Sequence, residues 1–338
     1  MDMRDLILNQ HEQIPHSLEV NKAVRAIGTF DSIILAGMGG SGHPGDLINA
    51  LGLPTVPLYV HRNYDLPLDY LSHMNLTSPL VITSSYSGNT EEALSSYKLA
   101  QEKGLNILVS SAGGTLQAWA KRDSLPFSHI DYQDMQPRHT LFAAFTGIAT
   151  ALKNSGLADD VTEDLLRVSV VLKKETPGLE ARGKELAEMI KDKVPVFNSS
   201  DSMGFATKNF KIQTNENAKY PAFWNTFPEL NHNELVGFSK LKEGSNANQF
   251  FVLIIRDPQD HPRNKARMDV TADLYRNWGV MVEEFEAKGD TQLEKIFYTE
   301  TLGLWTTYYL AKIRDIDPVP VEGVESFKAK LKEVAGEI

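Results

Sequence analysis

Two short, mostly apolar runs that each end in a loop of small residues limit the fold of this chain more than any other feature. Residues 32–36 lead into a glycine loop at 37–42 (GMGGSG), and residues 79–84 lead into a serine-rich segment at 84–90 (SSYSGNT). Such runs are typical of strands covered on both faces, and helical periodicity follows each loop. The pattern predicts an α/β fold with a mainly parallel sheet.

The order of these elements repeats further along the chain, although few residues are identical. A polar stretch at 153–160 is followed by two amphipathic helices, predicted over 161–174 and 179–191. The strands and the closing helix predicted after them lie at 195–197, 250–255, 280–282 and 292–312. The repeat indicates two similar α/β units in one chain.

We therefore expect two domains, each a doubly wound three-layer sandwich of a mainly parallel sheet between helices. Their expected bounds are 20–153 for the first domain and 176–316 for the second. The remaining segments, 1–19 and 317–338, are expected to be helical or extended additions.

Composition and charge narrow the classes of function. The 338 residues include 34 Lys plus Arg and 44 Asp plus Glu, so the net charge is −10, which argues against broad nucleic-acid binding. The absence of cysteine excludes disulfides, thiolate nucleophiles and Cys-ligated zinc. The N-terminus does not read as a signal peptide, and no apolar run approaches the length of about 18 residues that spans a membrane. We expect a cytoplasmic protein that contacts neither membrane nor nucleic acid.

The glycine loop at 37–42 is open to more than one interpretation. It matches the G-x-G-x-x-G pattern between a strand and a helix, which is typical of dinucleotide sites. Such sites normally have an acidic residue at the end of the second strand, where this chain has His61 and Arg62. An NADP site that uses Arg62 therefore stays open, as does a tight turn without a ligand.

The serine-rich segment indicates an anion site. Four hydroxyls lie where a strand ends and a helix begins, those of Ser84, Ser85, Ser87 and Thr90. Unpaired amides and the helix dipole at such a place favour phosphate. Helix capping by Ser87 or Asn89 is the alternative, but it would explain only one of these residues. Because ligands of open α/β sheets bind beyond the carboxyl ends of the strands, we expect this segment and the glycine loop to form one pocket.

Together with three later segments, these two loops resemble the bifunctional phosphoglucose/phosphomannose isomerase family, which is built of two sugar-isomerase (SIS) domains. The later segments are 136–142 (QPRHTLF), 215–224 (NENAKYPAFW) and 228–234 (PELNHNE). The resemblance implies reversible aldose–ketose isomerisation of hexose 6-phosphates through an enediol, with glucose 6-phosphate and mannose 6-phosphate as substrates. It also implies that no metal or nucleotide cofactor is used, and that dimers form whose active sites draw on both subunits.

The resemblance also implies roles for individual residues. Glu216 would be the base that moves a proton between C1 and C2, His232 of the neighbouring subunit would assist ring opening, and Arg138 would stabilise the enediolate. The residues implied to bind substrate are Gly39, Gly40, Ser41, Ser85, Ser87 and Thr90. Thr90 has the position associated with rotation of the intermediate about C2–C3. A carboxylate, an imidazole and a guanidinium suit this chemistry, which needs a base and positive charge near the developing oxyanion.

One departure from the family pattern keeps other functions open. Some members place a lysine in the last long helix for ring opening, whereas this chain has Tyr309 there and Lys312 about one turn away. A non-catalytic SIS sensor of sugar phosphates is one rival, and an NADP-dependent oxidoreductase is the other. The Glu216, His232 and Arg138 set argues against the sensor. The remaining histidines are scattered and match no metal-binding pattern, so no metal is expected.

Overall fold

A computed structural model divides the chain into two compact units, one of residues 9–169 and the other of residues 1–8 with 170–338. The structure describes residues 2–133, 135–241 and 246–335. Each unit contains one parallel sheet with helices packed on it, so the predicted α/β class is confirmed. None of the described helices has both the length and the apolar character needed to cross a bilayer.

The unit of residues 9–169 contains a five-stranded parallel sheet. Its strands are β1 (Ser32–Ala36), β2 (Leu58–His61), β3 (Pro79–Ser84), β4 (Asn106–Ser111) and β5 (Phe127–His129). They lie in the order β2-β1-β3-β4-β5, and both β1 and β3 are buried along their whole length. The helices that accompany them are α2 (Gln13–Asn21), α3 (His43–Ala50), α4 (Leu68–His73), α5 (Glu91–Glu102), α6 (Gly114–Arg122) and α7 (Leu141–Asn154).

The other unit contains a four-stranded parallel sheet. Its strands are β6 (Val194–Ser200), β7 (Phe223–Phe227), β8 (Phe250–Arg256) and β9 (Met281–Glu286), in the order β7-β6-β8-β9. The helices of this unit are α1 (Met3–Leu8), α9 (Gly204–Asn217), α10 (Glu234–Phe238), α11 (Pro262–Asn277), α12 (Gln292–Ile313) and α13 (Glu322–Ala335). An apolar cluster around Val252, Ile254 and Tyr275 forms part of its core.

The two helices predicted over 161–174 and 179–191 are one helix, and that prediction was wrong. Helix α8 runs without a break over Thr162–Ile190 and includes Pro177. Its buried side chains recur at intervals of three, four or seven residues on both sides of the proline, at Leu165, Val168, Leu172, Leu179, Leu186 and Ile190. Because this apolar stripe stays in phase, packing outweighs the one hydrogen bond that a proline removes from a helix.

Two strands were not predicted from the sequence, and each lies at an edge of its sheet. Strand β5 has three residues, which is too short for a periodic signal. Strand β7 is exposed or partly buried over Phe223–Thr226, so it lacks the continuous apolar pattern of the inner strands. Edge strands pair on one side only, and their sequences are correspondingly less constrained.

Candidate active site

The glycine loop is folded tightly against the end of β3. After β1 the chain makes a short 3-10 turn over Gly39–Ser41 before α3 begins. A Cβ at Gly37 would lie 2.9 Å from the carbonyl oxygens of both Ser41 and Ser84. A Cβ at Gly42 would lie 2.6 Å from the carbonyl oxygen of Gly37. Side chains are therefore excluded at Gly37 and Gly42 because backbone atoms pack there, with no ligand needed to explain them.

Hydrogen bonds join the glycine loop to the serine-rich segment. The Ser84 hydroxyl donates to the carbonyl oxygen of Ser41 at 2.8 Å. In return, the Ser41 hydroxyl accepts the Tyr86 N–H at 3.0 Å. Ser84 is fully buried, and its hydroxyl connects the two loops. The hydroxyls that remain for an anion are therefore those of Ser85, Ser87 and Thr90.

Those three hydroxyls form a cluster, here called the hydroxyl cradle. Ser85 Oγ lies 2.8 Å from Thr90 Oγ1 and 3.4 Å from Ser87 Oγ, and it accepts the Gly88 N–H at 3.1 Å. Ser85 is fully buried, Thr90 is partly buried and Ser87 is exposed. The cradle thus runs from the interior to the surface, with its hydroxyls at the N-terminus of α5, where the dipole favours an anion.

Helix capping does not account for the cradle. Thr90 is the N-cap residue of α5, yet its side chain makes no capping hydrogen bond. Asn89 Oδ1 instead accepts the N–H and the hydroxyl of Thr115 in the first turn of α6, at 3.0 and 2.9 Å. Ser87 Oγ accepts the nearby Asn89 N–H, at 3.2 Å, which is not one of the amides of α5. The first amides of α5 have no acceptor within the helix, as at any helix start.

A close backbone contact supports the cradle from behind. Gly88 has φ 69°, and a Cβ there would lie 1.9 Å from the carbonyl oxygen of Gly113. The reverse contact is equally close, because a Cβ at Gly114 would lie 2.1 Å from the carbonyl oxygen of Ser87. The Leu116 N–H also donates to the Gly88 carbonyl at 3.0 Å. The serine-rich segment is therefore fixed against the turn that follows β4.

Arg138 lies beside the glycine loop in the same unit. It is 5% exposed and belongs to a 3-10 turn, Pro137–His139, that precedes α7. A Cβ at Gly40 would lie 3.2 Å from Pro137 Cβ and 3.4 Å from the Arg138 nitrogen. The turn Gly39–Ser41 thus lies beside both the serine-rich segment and the turn that contains Arg138, although the three are distant in sequence.

Tyr86 links the cradle to the segment that leads to Arg138. Its hydroxyl donates to the Tyr132 carbonyl at 2.7 Å and accepts the Met135 N–H at 2.9 Å. No function was predicted from the sequence for Tyr86, which connects these two segments. Its place inside a hydroxyl-rich loop was the only signal, because the residues that it contacts are more than 40 positions away.

Arg62, which an NADP site would need, is paired with a carboxylate. Its Nη2 lies 2.7 Å from Asp46 Oδ2 in the first turn of α3. The same nitrogen would lie 3.0 Å from a Cβ at Gly42. The guanidinium is therefore held against α3 and the glycine loop, and the geometry does not favour the NADP interpretation.

Glu216 lies in the last turn of α9, in the other unit, and it is partly buried. Its neighbours are firmly held: Asn215 Nδ2 donates to the Tyr220 carbonyl at 2.8 Å, and Asn217 Nδ2 donates to Thr307 Oγ1 at 2.9 Å. Lys219 Nζ donates to the Glu216 carbonyl at 2.9 Å, so a cation satisfies the end of the helix.

A cavity of about 850 Å³ lies beside Glu216. Its walls are residues of the NENAK segment and of the stretch that precedes α13, namely Asn215, Glu216, Lys219, Tyr220, Pro221, Ile316, Asp317, Pro320, Val321, Glu322, Gly323 and Val324. The volume is in the range of small-molecule sites. Part of this wall comes from residues that the sequence analysis treated only as a C-terminal addition.

His232 lies on the surface at the end of a short 3-10 turn, Glu229–His232, that follows β7. Its flanking asparagines anchor this turn. Asn231 Nδ2 donates to Thr271 Oγ1 at 2.9 Å, and Asn233 Nδ2 donates to Glu229 Oε1 at 2.8 Å. The imidazole is thus exposed on a turn that hydrogen bonds on both sides hold in place.

Glu216 and His232 lie at opposite ends of the strands of the same sheet. Helix α9 begins at the carboxyl edge, because a Cβ at Gly204 would lie 3.4 Å from Thr226 Cγ2 near the end of β7. Glu216 lies twelve residues further along this helix, which at a rise of about 1.5 Å per residue is about 18 Å away. His232 follows the carboxyl end of β7, so the two side chains of one chain lie on opposite sides.

Tyr309, which stands where some family members have a lysine, has a structural partner. Its hydroxyl donates to Glu180 Oε1 at 2.7 Å, and Arg4 Nε lies 2.8 Å from the same oxygen. Burial and then the hydrogen bond to Glu180 raise the pKa of Tyr309. A neutral phenol in this cluster joins α1, α8 and α12 and does not replace a lysine cation.

Comparison with known proteins places the chain in a family. Residues 179–331 match the family model described as the bacterial phospho-glucose isomerase C-terminal SIS domain. The bifunctional phosphoglucose/phosphomannose isomerase of Caldicellulosiruptor bescii is 33% identical over 98% of this chain and 99% of its own length. The chain belongs to the bifunctional phosphoglucose/phosphomannose isomerase family. The resemblance drawn from its motifs is therefore confirmed.

This member of the phosphoglucose/phosphomannose isomerase family is also similar to a relative with another printed activity and to a solved structure. The D-glucosamine-6-phosphate 4-epimerase of Sulfolobus acidocaldarius is 33% identical over 75% of this chain and 78% of its own length. A hypothetical protein of Thermus thermophilus has the same fold, with a TM-score of 0.71 at 17% identity over 99% of this chain and 90% of that chain. The likeness of fold to this solved structure thus extends over 99% of the chain, and the SIS domain model matches residues 179–331.

Proposed function

We propose that this protein interconverts glucose 6-phosphate and mannose 6-phosphate with fructose 6-phosphate by proton transfer through an enediol. The observation that carries the proposal is the hydroxyl cradle at the start of α5, in a chain that aligns over 98% of its length with a bifunctional isomerase. The comparisons do not favour a non-catalytic sensor, since relatives such as that of Caldicellulosiruptor bescii are named isomerases. The pairing of Arg62 with Asp46 does not favour an NADP-dependent oxidoreductase.

The phosphate would be bound at the cradle. Ser85, Ser87 and Thr90 offer hydroxyl donors, and the first amides of α5 offer unpaired N–H groups. Gly39, Gly40 and Ser41 would line the adjacent sugar site, since their turn lies against the serine-rich segment. Hydrogen bonds to a charged phosphate are each worth about 1.5–3 kcal/mol, so a few of them give useful affinity.

The proton transfer would be performed by Glu216. Its carboxylate takes the C2 proton of the open-chain aldose and returns it to C1, and the enediolate formed between the two steps is stabilised by Arg138. Removal of the C2 proton from either epimer gives the same intermediate, and Thr90 is proposed to assist the rotation about C2–C3 that this requires. The reaction balances without a redox partner: the carboxylate removes a proton from C2 and gives one to C1, a proton moves from O2 to O1, and the electron pairs stay within the substrate.

Ring opening is proposed to use His232 of a second copy of the chain. Support comes from the opposite positions of Glu216 and His232 on one sheet, which keep them apart within a chain. A homodimer with shared active sites allows both residues to act on one substrate. The domain bounds of 20–153 and 176–316 and the cytoplasmic location stay predictions.

A substitution of Glu216 tests the proposal. Glu216→Gln keeps the shape of the side chain but cannot accept the proton, so turnover is expected to fall by at least a thousandfold while substrate binding persists. A coupled assay with glucose 6-phosphate and mannose 6-phosphate measures turnover, and uptake of deuterium from D2O at C1 or C2 reports the proton transfer. Glu188→Gln is a matched control, because Glu188 is exposed on α8 and pairs with Lys191, the residue after this helix.

The outcomes of this test separate the alternatives. Near-normal turnover by Glu216→Gln would remove the glutamate from its role as base. Binding of hexose 6-phosphate by the wild-type protein without any turnover would support the sensor instead. D-glucosamine 6-phosphate belongs in the substrate panel because one relative carries a 4-epimerase name, and its conversion in place of the isomerase substrates would contradict the proposal.

A further inference from the structure

A buried row of polar side chains joins the helix that carries Glu216 to the last long helix of the unit. We call it the polar seam; its members are Asn209, Gln213 and Asn217 on α9 and Glu300 and Thr307 on α12. Each is at most 5% exposed. Buried polar groups without partners are costly, so this row constrains the helices to one relative register.

The first part of the seam is centred on Glu300. Its Oε2 accepts hydrogen bonds from Asn209 Nδ2 and, at 2.8 Å, from Gln213 Nε2, one turn apart on α9. Gly303 allows the helices to approach, because a Cβ there would lie 2.3 Å from Gln213 Oε1. The two helices are therefore locked in position well before α9 reaches Glu216.

The last part of the seam lies next to Glu216. Asn217 Nδ2 donates to Thr307 Oγ1 at 2.9 Å, and Thr307 donates its own hydroxyl proton to the Gly303 carbonyl at 2.8 Å. The threonine is thus oriented with a lone pair toward α9. Asn217 is the last residue of this helix, where helices fray unless they are anchored.

We infer that Thr307, acting through Asn217, is a positioning residue for the carboxylate of Glu216. Successive residues of a helix differ in direction by a fixed angle, so holding Asn217 against α12 also sets the direction of Glu216 toward the cavity of about 850 Å³. Displacement of a catalytic group by about 1 Å can cost about a hundredfold in rate. This inference rests on the proposed role of Glu216 as the base.

Thr306 provides a matched control. It precedes Thr307 on α12, is equally buried, and donates to the carbonyl four residues earlier, Leu302, at 2.8 Å. Among the bonds described for the two residues, only that of Thr307 reaches α9. Thr307→Val and Thr306→Val therefore each remove one buried hydroxyl that donates to the carbonyl four residues earlier, and they differ in the link to Asn217.

The test compares these variants in the full-length protein. Thr307→Val is expected to lower kcat about tenfold or more with KM within about twofold, and to raise the isotope effect on kcat with C2-deuterated glucose 6-phosphate, because proton removal becomes slower. Thr306→Val should match the wild-type protein in kcat and isotope effect. Thr307→Ser, which retains the hydroxyl, should restore both values, and urea unfolding shows that all variants are folded during the assay.

Two results would overturn the inference in distinguishable ways. Equal kcat and equal isotope effects for Thr307→Val and Thr306→Val, with Glu216→Gln inactive, would show that Thr307 has no positioning role while the proposed function stands. Full turnover by Glu216→Gln in the same assay would overturn the proposed function and the role given to Thr307 with it.

Discussion

At the scale of single residues, burial and hydrogen bonding separate side chains that look alike in the sequence. Ser84, Ser85 and Ser110 are all fully buried near the carboxyl ends of neighbouring strands. The Ser84 hydroxyl donates to the Ser41 carbonyl, whereas Ser85 Oγ lies within hydrogen-bonding distance of Ser87 and Thr90. Ser110 Oγ has no hydrogen-bond partner among the residues described. Of these three serines, only Ser85 thus belongs to the hydroxyl cradle.

Ser85→Ala is expected to raise KM for hexose 6-phosphates about 10- to 100-fold, the loss that corresponds to one hydrogen bond to a charged group. The fall in kcat should be smaller, since binding of the phosphate stabilises the ground state and the transition state alike. Steady-state kinetics and inhibition by inorganic phosphate measure the effect. Ser110→Ala is the matched control, and an equal change in KM for both variants would count against the cradle as a phosphate site.

At the scale of elements, close backbone contacts and buried polar pairs determine how loops and helices meet. The serine-rich segment rests on the turn after β4 through Gly88 and Gly114, where no side chain fits. Helix α9 rests on α12 through the polar seam. Glu300 in this seam is 2% exposed, and burial raises its pKa well above its ordinary value of 4.5, against the opposing hydrogen bonds from Asn209 and Gln213. The folded protein therefore retains the proton of this acid to a higher pH than the unfolded chain does.

The raised pKa of Glu300 predicts a pH dependence of stability. Below pH 4.5 both states keep the proton, so there is no difference. Above it the unfolded chain releases the proton while the folded protein retains it. The free energy of unfolding therefore falls by up to about 1.4 kcal/mol per pH unit until the raised pKa is passed.

Glu300→Gln can accept the same two hydrogen bonds and does not titrate, so it isolates this effect. Its stability relative to the wild-type protein should increase as the pH rises above about 4.5, and the increase should level off once the raised pKa of Glu300 is passed. Urea unfolding at several pH values in this range measures the difference. A difference that stays constant with pH would show that Glu300 keeps the same protonation state in both folded and unfolded chains.

At the scale of the whole molecule, the topology of the second sheet makes a prediction about assembly. Glu216 is at the end of α9 and His232 follows the carboxyl end of β7, so they lie at opposite edges of one sheet. A parallel sheet with α9 running back alongside it cannot bring these two side chains together. If both act on one substrate, they come from different chains.

Mixing two inactive variants tests this sharing. A heterodimer of Glu216→Gln and His232→Ala chains contains one site with both native residues, so random pairing should restore about a quarter of the wild-type activity. The measurement is turnover after the two variants are mixed and allowed to exchange subunits. Each variant incubated alone is the control. Activity no higher than the sum of the two separate variants would mean that one chain supplies both residues or that the chains do not pair.

The fold class, the repeated sheet and the family were within reach of the sequence. Apolar runs such as 32–36 and 79–84 report strands buried on both faces, and motifs such as NENAK are short and contiguous. Local sequence patterns did not predict elements whose existence or length depends on packing against residues distant in the sequence. Pro177 reads as a helix end but lies within α8, and Phe223–Phe227 has no strand pattern because it is an edge.

The sequence by itself determined which chemical groups this protein has and that the glycine loop and the serine-rich segment each follow a strand and precede a helix. Tertiary structure alone decided which hydroxyls meet, how Thr307 reaches Asn217, and that Glu216 and His232 lie at opposite edges. The physical reason is the separation along the chain over which each kind of interaction acts. Periodicity and helix signals act over a few residues, whereas a hydrogen bond between residues 90 positions apart depends on how whole helices pack.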